Sequence, residues 1–157
     1  MSGRAHAGEK VRVLFLCHGN ICRSPMAEAV MKALVQEKGL AGQVEVESAA
    51  ISREALGEDI YPPAKAVLRA HRVPFGTRRA RQVTRQDFDD FDRIMVMDRR
   101  NMELLPRVVG GAAADKAERL LADQDIADPW YTDDFETAFA EIEAGCRLLL
   151  EEIQSLG

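Results

Sequence analysis

The 157-residue sequence holds only three cysteines, Cys17, Cys22 and Cys146. Three is an odd number, and none of them forms the closely paired spacings of a zinc site, so a disulfide scaffold and a structural metal are both excluded as expectations. Positive charge is also short. A net charge of -5 and a pI near 5.3 argue against a general nucleic-acid binder, which is normally basic. The one locally basic stretch, "GTRRARQVTR" from Gly76 to Arg85, reads first as a solvated loop or helix start, although a basic rim on an acidic protein favours anionic substrates. No apolar run reaches the length of a membrane span, and "MSGRAHAGEK" lacks the apolar centre of a signal peptide. The expectation is a soluble cytoplasmic protein without a membrane partner, its thiols reduced. There is no internal repeat and no dividing linker. Residues 1–10 read as a flexible tail and 11–157 as one domain.

What is present is a regular alternation of strand and helix signals. "VRVLFLC" (Val11 to Cys17) is continuously apolar at its centre, as a strand buried on both faces is. "SPMAEAVMKALVQEKGL" offers Ser24 as N-cap, Pro25 at the first helical position and Gly39 as the stop. Met26, Ala29, Val30, Ala33 and Leu34 recur at helical spacing, so this helix is expected to pack one side on a sheet. "QVEVESAA" alternates like a second strand, and "YPPAKAVLRAHRVPF" is a second helix. Thr84 and Asp87 form a capping-box pattern before a short helical turn. "DRIMVMD" is a further strand, "RRNMELLPR" a short helix, "GGAAADKAERLL" a loop and then helix, and the last two dozen residues one long amphipathic helix. The pattern implies an α/β fold: a short parallel sheet of about four strands, flanked by helices on both faces. In such a sheet, ligands sit at the carboxyl ends of strands beside helix N-termini.

"CHGNICRS" occupies that place after the first strand. Amides of a tight loop entering a helix form an anion-binding concavity. Gly19 and Asn20 tolerate the backbone angles it needs, and the planar fork of Arg23 grips two phosphate oxygens at once. A cysteine within this cradle, Cys17, faces donors and a guanidinium that favour thiolate, the nucleophilic form. Ser24 is placed to donate to the sulfur. The loop then supports attack on phosphorus through a phosphocysteine intermediate, with amides and Arg23 stabilising the equatorial oxygens and no metal or cofactor required. It lacks the GxxxxGK[ST] pattern of a nucleotide-binding loop. A lone cysteine after an apolar strand is usually a small core residue, but cysteine, five residues, arginine and serine between strand and helix is far more specific. Spacing leaves Cys22 open between a packing thiol and a partner that traps oxidised Cys17; Cys146, among leucines, reads as core.

The leaving oxygen needs a proton and the intermediate an activated water, two tasks that one carboxylic acid performs in turn. In "ADPWYTDDF" Asp128 is held extended by the proline after it, and Trp130 and Tyr131 follow as walls for an aromatic substrate. Pairing with the cysteine loop ranks Asp128 above Asp125, Asp133 or Asp134.

These stretches, "CHGNICRSPMAEA" and "ADPWY", with weaker echoes in "SAA" at Ser48 to Ala50, "RARQVTRQDFDDFD" and "MVMDRRN", closely resemble the low-molecular-weight protein tyrosine phosphatases. The resemblance implies Cys17 as nucleophile, Arg23 as phosphate clamp and Asp128 as acid and then base. It further implies that Ser24 tunes the sulfur, Asn20 and Ser48 brace the loop, and Ile21, Trp130 and Tyr131 wall the pocket. His18 would stand on the pocket's rim, and Cys22 would be a redox partner. The implied substrate is a tyrosine-phosphorylated protein or small aryl phosphate. This chain departs from the family's pattern in three places. Ile51, Ser52, Arg53 and Glu54 follow the second strand where the family brings an aromatic, which implies a polar, charged pocket wall. Arg78 stands for the family's bracing histidine, and Thr132 for a glycine after the paired tyrosines. Arsenate reductases of the same fold need further mid-chain cysteines, and none lies between Cys22 and Cys146. Phosphoarginine phosphatases of the family carry threonine where Ile21 stands, so isoleucine favours phosphotyrosine. The rival from another class is a non-catalytic module sensing anions or oxidants.

Overall fold

A computed structural model describes residues 10–156; residues 1–9 of the expected tail lie outside the described residues. The elements are β1 (Val11–Cys17), α1 (Arg23–Glu37), β2 (Val44–Ala50), α2 (Pro62–Ala70), α3 (Arg85–Asp90), β3 (Arg93–Val96), α4 (Arg99–Leu104), α5 (Pro106–Val109), α6 (Gly111–Ala114), β4 (Ala117–Arg119), α7 (Pro129–Thr132) and α8 (Phe135–Leu156). The four strands are all parallel and lie in the order β2-β1-β3-β4. β1 is central, which is why its residues Val13 to Cys17 are buried on both faces. The chain leaves β1 toward β2 on one side and returns to β3 on the other, so the carboxyl end of β1 is the switch point of the sheet.

Alternate side chains serve two cores. Val13, Phe15, Val44, Val46 and Met95 face α1, α2 and α8, while Leu14, Leu16, Ala49, Ile94 and Val96 face α3 to α6. α1 is buried around more of its circumference than a single apolar stripe predicts, Ala27, Met31 and Val35 included, because α8 covers it opposite the sheet. α8 approaches closely at Gly145, where a Cβ would come 2.6 Å from Leu120 Cγ.

Helix boundaries follow local chemistry with one exception. Thr84 and Asp87 form the full capping box of α3, and Gly39, at φ 73°, ends α1 as its amide donates to Gln36 O and that of Leu40 to Val35 O. Ser24 is not the N-cap of α1. The cap is Cys22, without a side-chain bond, and Ser24 lies inside the first turn with its hydroxyl turned to Cys17. "GGAAADKAERLL" is also different: a helical turn and then β4, instead of loop and helix. β4 is a three-residue edge strand with Glu118 exposed, too short and too polar to show an apolar strand run.

Candidate active site

β1 delivers Cys17, 3% exposed, to the mouth of the loop. The carbonyls of Cys17, His18 and Ile21 are turned outward and accept from the amides of Ile51, Ser52 and Tyr61 at 3.0, 2.9 and 2.9 Å. The amides of Gly19, Asn20, Ile21 and Cys22 donate to no acceptor among the described residues, and that of Arg23 opens α1, where no intrahelical acceptor exists. A run of unused donors in a loop that enters a helix is the local device that binds an oxyanion.

Asn20 makes the turn possible and then locks it. Its φ of 60° is left-handed, which asparagine tolerates, and its side chain is fully buried. Nδ2 donates to Ser24 Oγ at 2.7 Å and to Ser48 Oγ at 3.0 Å. Oδ1 accepts from the Arg78 guanidinium and from the Arg81 amide. Ser48 Oγ in turn donates a hydrogen bond to Glu28 Oε1 at 2.6 Å. Cys17 Sγ, as a thiol, donates to Ser24 Oγ at 3.1 Å and accepts from the Ser24 amide at 3.3 Å. With a thiolate at Sγ, the serine is the only donor of that side-chain pair.

Arg23 is almost fully buried. Nη1 donates to Asp98 Oδ2 and to the Ile126 carbonyl, both at 2.7 Å, and Nη2 lies 3.4 Å from Asp128 Oδ2. Its Nε is buried with no partner, a donor suited to an incoming oxygen. Burial works against the guanidinium charge, but Cys17, Asp128 and Asp98 outweigh it and hold the arginine above its ordinary pKa. Asp98 is itself held as the N-cap of α4, accepting from the Asn101 amide at 2.7 Å.

Asp128 caps the short helix α7, with Pro129 at its first position. One carboxylate oxygen accepts from the Trp130 amide at 3.0 Å, leaving the other toward Arg23. Cys17 and Asp128 line one cavity of about 200 Å³, together with His18, Gly19, Ile21 and Cys22 from the loop, Trp130 and Tyr131 opposite, and Glu54, Ala55 and Glu58 on the remaining wall. Trp130 rests on Tyr61, with ring centroids 4.8 Å apart. The two cysteines of the loop differ in their neighbours. Burial, and then the charges of Cys17 and Asp128, push the Cys22 thiol up, against Arg23; such a thiol stays protonated at neutral pH and is a poor nucleophile toward phosphorus. Cys146 is fully buried, its Sγ 3.8 Å from the Ala27 carbonyl.

The residues singled out in the sequence are thus gathered in one place, with Ser48 behind the loop and Cys146 in the core. Of the supports of the loop, the resemblance implies Asn20, Ser48 and Arg78, while Asp98 and Glu28 have no such signal. Asp98 is readable only as a polar residue ending β3 at the ligand side of the sheet, and Glu28 only as one exposed-looking acid of α1. Glu58 gave no signal at all. Among the described residues, no group of three or more His, Cys, Asp or Glu side chains is placed to hold a metal ion, and no helix is long and apolar enough to cross a membrane.

A family model described as low molecular weight phosphotyrosine protein phosphatase matches residues 12–156. The low molecular weight protein-tyrosine-phosphatase YfkJ of Bacillus subtilis is 41% identical over 150 residues, covering 92% of this chain and 96% of that protein. The human low molecular weight phosphotyrosine protein phosphatase is 38% identical over 149 residues, covering 89% and 94%. The crystal structure of YfkJ superimposes with a TM-score of 0.89, at 39% identity, over 96% of this chain and 98% of that one.

Proposed function

The chain belongs to the low molecular weight phosphotyrosine protein phosphatase family, and on that premise we propose that Cys17 is its nucleophile, Arg23 its phosphate clamp and Asp128 its acid and then base. The observation that carries these roles is the meeting of Cys17 and Asp128 in one cavity, with the Arg23 guanidinium 3.4 Å from the Asp128 carboxylate and its Nε unpartnered.

The thiolate of Cys17 attacks the phosphorus of phosphotyrosine. A sulfur–phosphorus bond forms as the bond to the tyrosyl oxygen breaks, and protonated Asp128 hands its proton to that oxygen. Ionised Asp128 then takes a proton from water, whose oxygen attacks the phosphocysteine. Phosphate leaves, and the thiolate returns to its place under the Ser24 donors. Charge spreads over three equatorial oxygens on the way, where the loop amides and Arg23 meet it. His18, Gly19, Asn20, Ile21, Cys22, Ser24, Trp130 and Tyr131 shape the binding site, and Ser48 supports it. Amides and a guanidinium supply the positive field, so no metal or cofactor takes part. Substrates are tyrosine-phosphorylated proteins or aryl phosphates, and the cytoplasm, where three unpaired thiols stay reduced, is the compartment. Under oxidant, Cys17 sulfenic acid condenses with the Cys22 thiol, losing water and leaving a disulfide that a dithiol reverses.

One assay tests these roles: phosphotyrosine, phosphoserine and phosphoarginine peptides offered in the presence of chelator. Hydrolysis of phosphotyrosine alone, loss of activity in Cys17→Ser and phosphate trapped on cysteine are expected. Wild-type activity retained in Cys17→Ser overturns the nucleophile assignment. After peroxide and dithiol, wild type recovers and Cys22→Ser does not; equal recovery removes Cys22 from the redox role.

A further inference from the structure

Beyond Cys17 and Asp128, the charged side chains that line the cavity are two glutamates and His18. Glu54 and Glu58 both line it and are both exposed. Glu54 Oε2 lies 3.1 Å from His18 Nε2, and its side chain keeps 75% of its surface in solvent. The Glu58 carboxylate makes no ion pair among the described residues; only its main chain is engaged, the amide donating to the Ala55 carbonyl and the carbonyl accepting from the Ala80 amide and from Arg78 Nη1. His18 is the sole basic side chain in the lining, so even fully protonated it leaves the wall negative. The Arg78 guanidinium is committed beneath the loop to Asn20, and Arg53, exposed beside Glu54, does not line the cavity. The floor must receive a dianion, yet the entrance repels acidic chain on either side of it.

Given phosphotyrosine hydrolysis at Cys17, we propose that Glu54 and Glu58 select phosphotyrosine segments in which lysine or arginine lies next to the phosphorylated residue, and reject acidic ones. The phosphate and ring enter past Ile21 and Trp130, and the neighbouring side chains of the substrate pass over the two carboxylates. An exposed pair of this kind contributes little by itself. Attraction in one substrate set against repulsion in the other adds up, and two carboxylates act together. The preference is a surface effect and is screened by salt.

The test compares kcat/KM for two phosphotyrosine peptides of equal length, one flanked by lysine and arginine, the other by glutamate and aspartate. Each protein's own turnover of a small aryl phosphate is the reference. The expected ratio is about fivefold to tenfold in favour of the basic peptide at low salt, collapsing toward one at high salt and in Glu54→Gln/Glu58→Gln. Arg53→Gln keeps or raises it. Affinities for Cys17→Ser, measured without turnover, are expected to rank the same way. Aryl phosphate hydrolysis with a ratio near one, or a ratio unchanged in the double variant, overturns the rim assignment alone. Absence of aryl phosphate hydrolysis overturns the phosphatase roles and the rim with them.

Discussion

Asn20 is fully buried, with each polar atom of its side chain bonded twice, whereas Tyr131, on the rim of the same cavity, keeps 81% of its surface in water. The floor is a closed network running from Cys17 through Ser24, Asn20 and Ser48 to Glu28. The rim is a set of side chains in contact mainly with solvent and with one another. A fully satisfied buried network specifies a single geometry, because any partner removed leaves a desolvated group behind. An exposed rim carries no such penalty and is free to vary with the substrate. The two regions differ accordingly: the floor fixes a sulfur and an arginine in place, and the rim leaves its side chains in solvent.

Asp128 joins the two regions and gives the sharpest test. Asp128→Ala is expected to slow aryl phosphates with poor leaving groups by about 10²- to 10⁴-fold and those with acidic leaving groups far less, since the latter need no proton. Equal slowing across a leaving-group series removes Asp128 from the acid role. The floor is next. Asn20→Ala is expected to lower kcat on the order of 10²-fold through loss of nucleophile position and to destabilise the chain by about 1–3 kcal/mol, from the stranded partners and the left-handed backbone. Thermal unfolding and kinetics measured together check it; unchanged kcat would mean the network does not set the sulfur. On the rim, Tyr131→Ala is expected to raise KM by about threefold to tenfold, from lost ring contact, with stability within about 0.5 kcal/mol of wild type. A large drop in melting temperature would erase the distinction between floor and rim.

The smallest effect concerns the tether of the floor. Asp59 accepts from Lys65 Nζ at 2.6 Å, from the Ile60 amide at 2.7 Å and from the Arg78 amide at 3.2 Å. Lys65 first, and then the Ile60 amide, hold its carboxyl down to about 2. An unfolded aspartate takes its proton near 3.9, so the stabilisation is complete above about pH 4 and is lost as pH falls toward 2. Urea midpoints of wild type and Asp59→Asn should therefore differ at pH 5 and converge near pH 2; a gap that persists there contradicts the tether.

Local patterns carried much of this molecule. The cysteine-to-serine loop, the capping box at Thr84 and the Asp-Pro step at Asp128 are short-range devices whose meaning lies within a few residues, and each occupies the position its chemistry implies. Ser24 shows the limit. A serine before a proline at a helix start looks like a cap, yet the sulfur seven residues earlier claims its hydroxyl. β4 was illegible for another reason: an edge strand of three residues draws its order from pairing with β3, not from its own composition.

The order of residues alone determined the fold class and that a loop with two cysteines and an arginine follows the first strand, because hydrophobic periodicity and turn chemistry act over neighbouring positions. Only the tertiary structure decided which further side chains hold that loop and which line the cavity above it. Asp98 reaches Arg23 across 75 positions, Glu28 takes the hydroxyl of Ser48 across 20, and Glu58 arrives in the lining of a cavity begun at Cys17. Such pairings are made where parallel strands end side by side, and no local pattern encodes them.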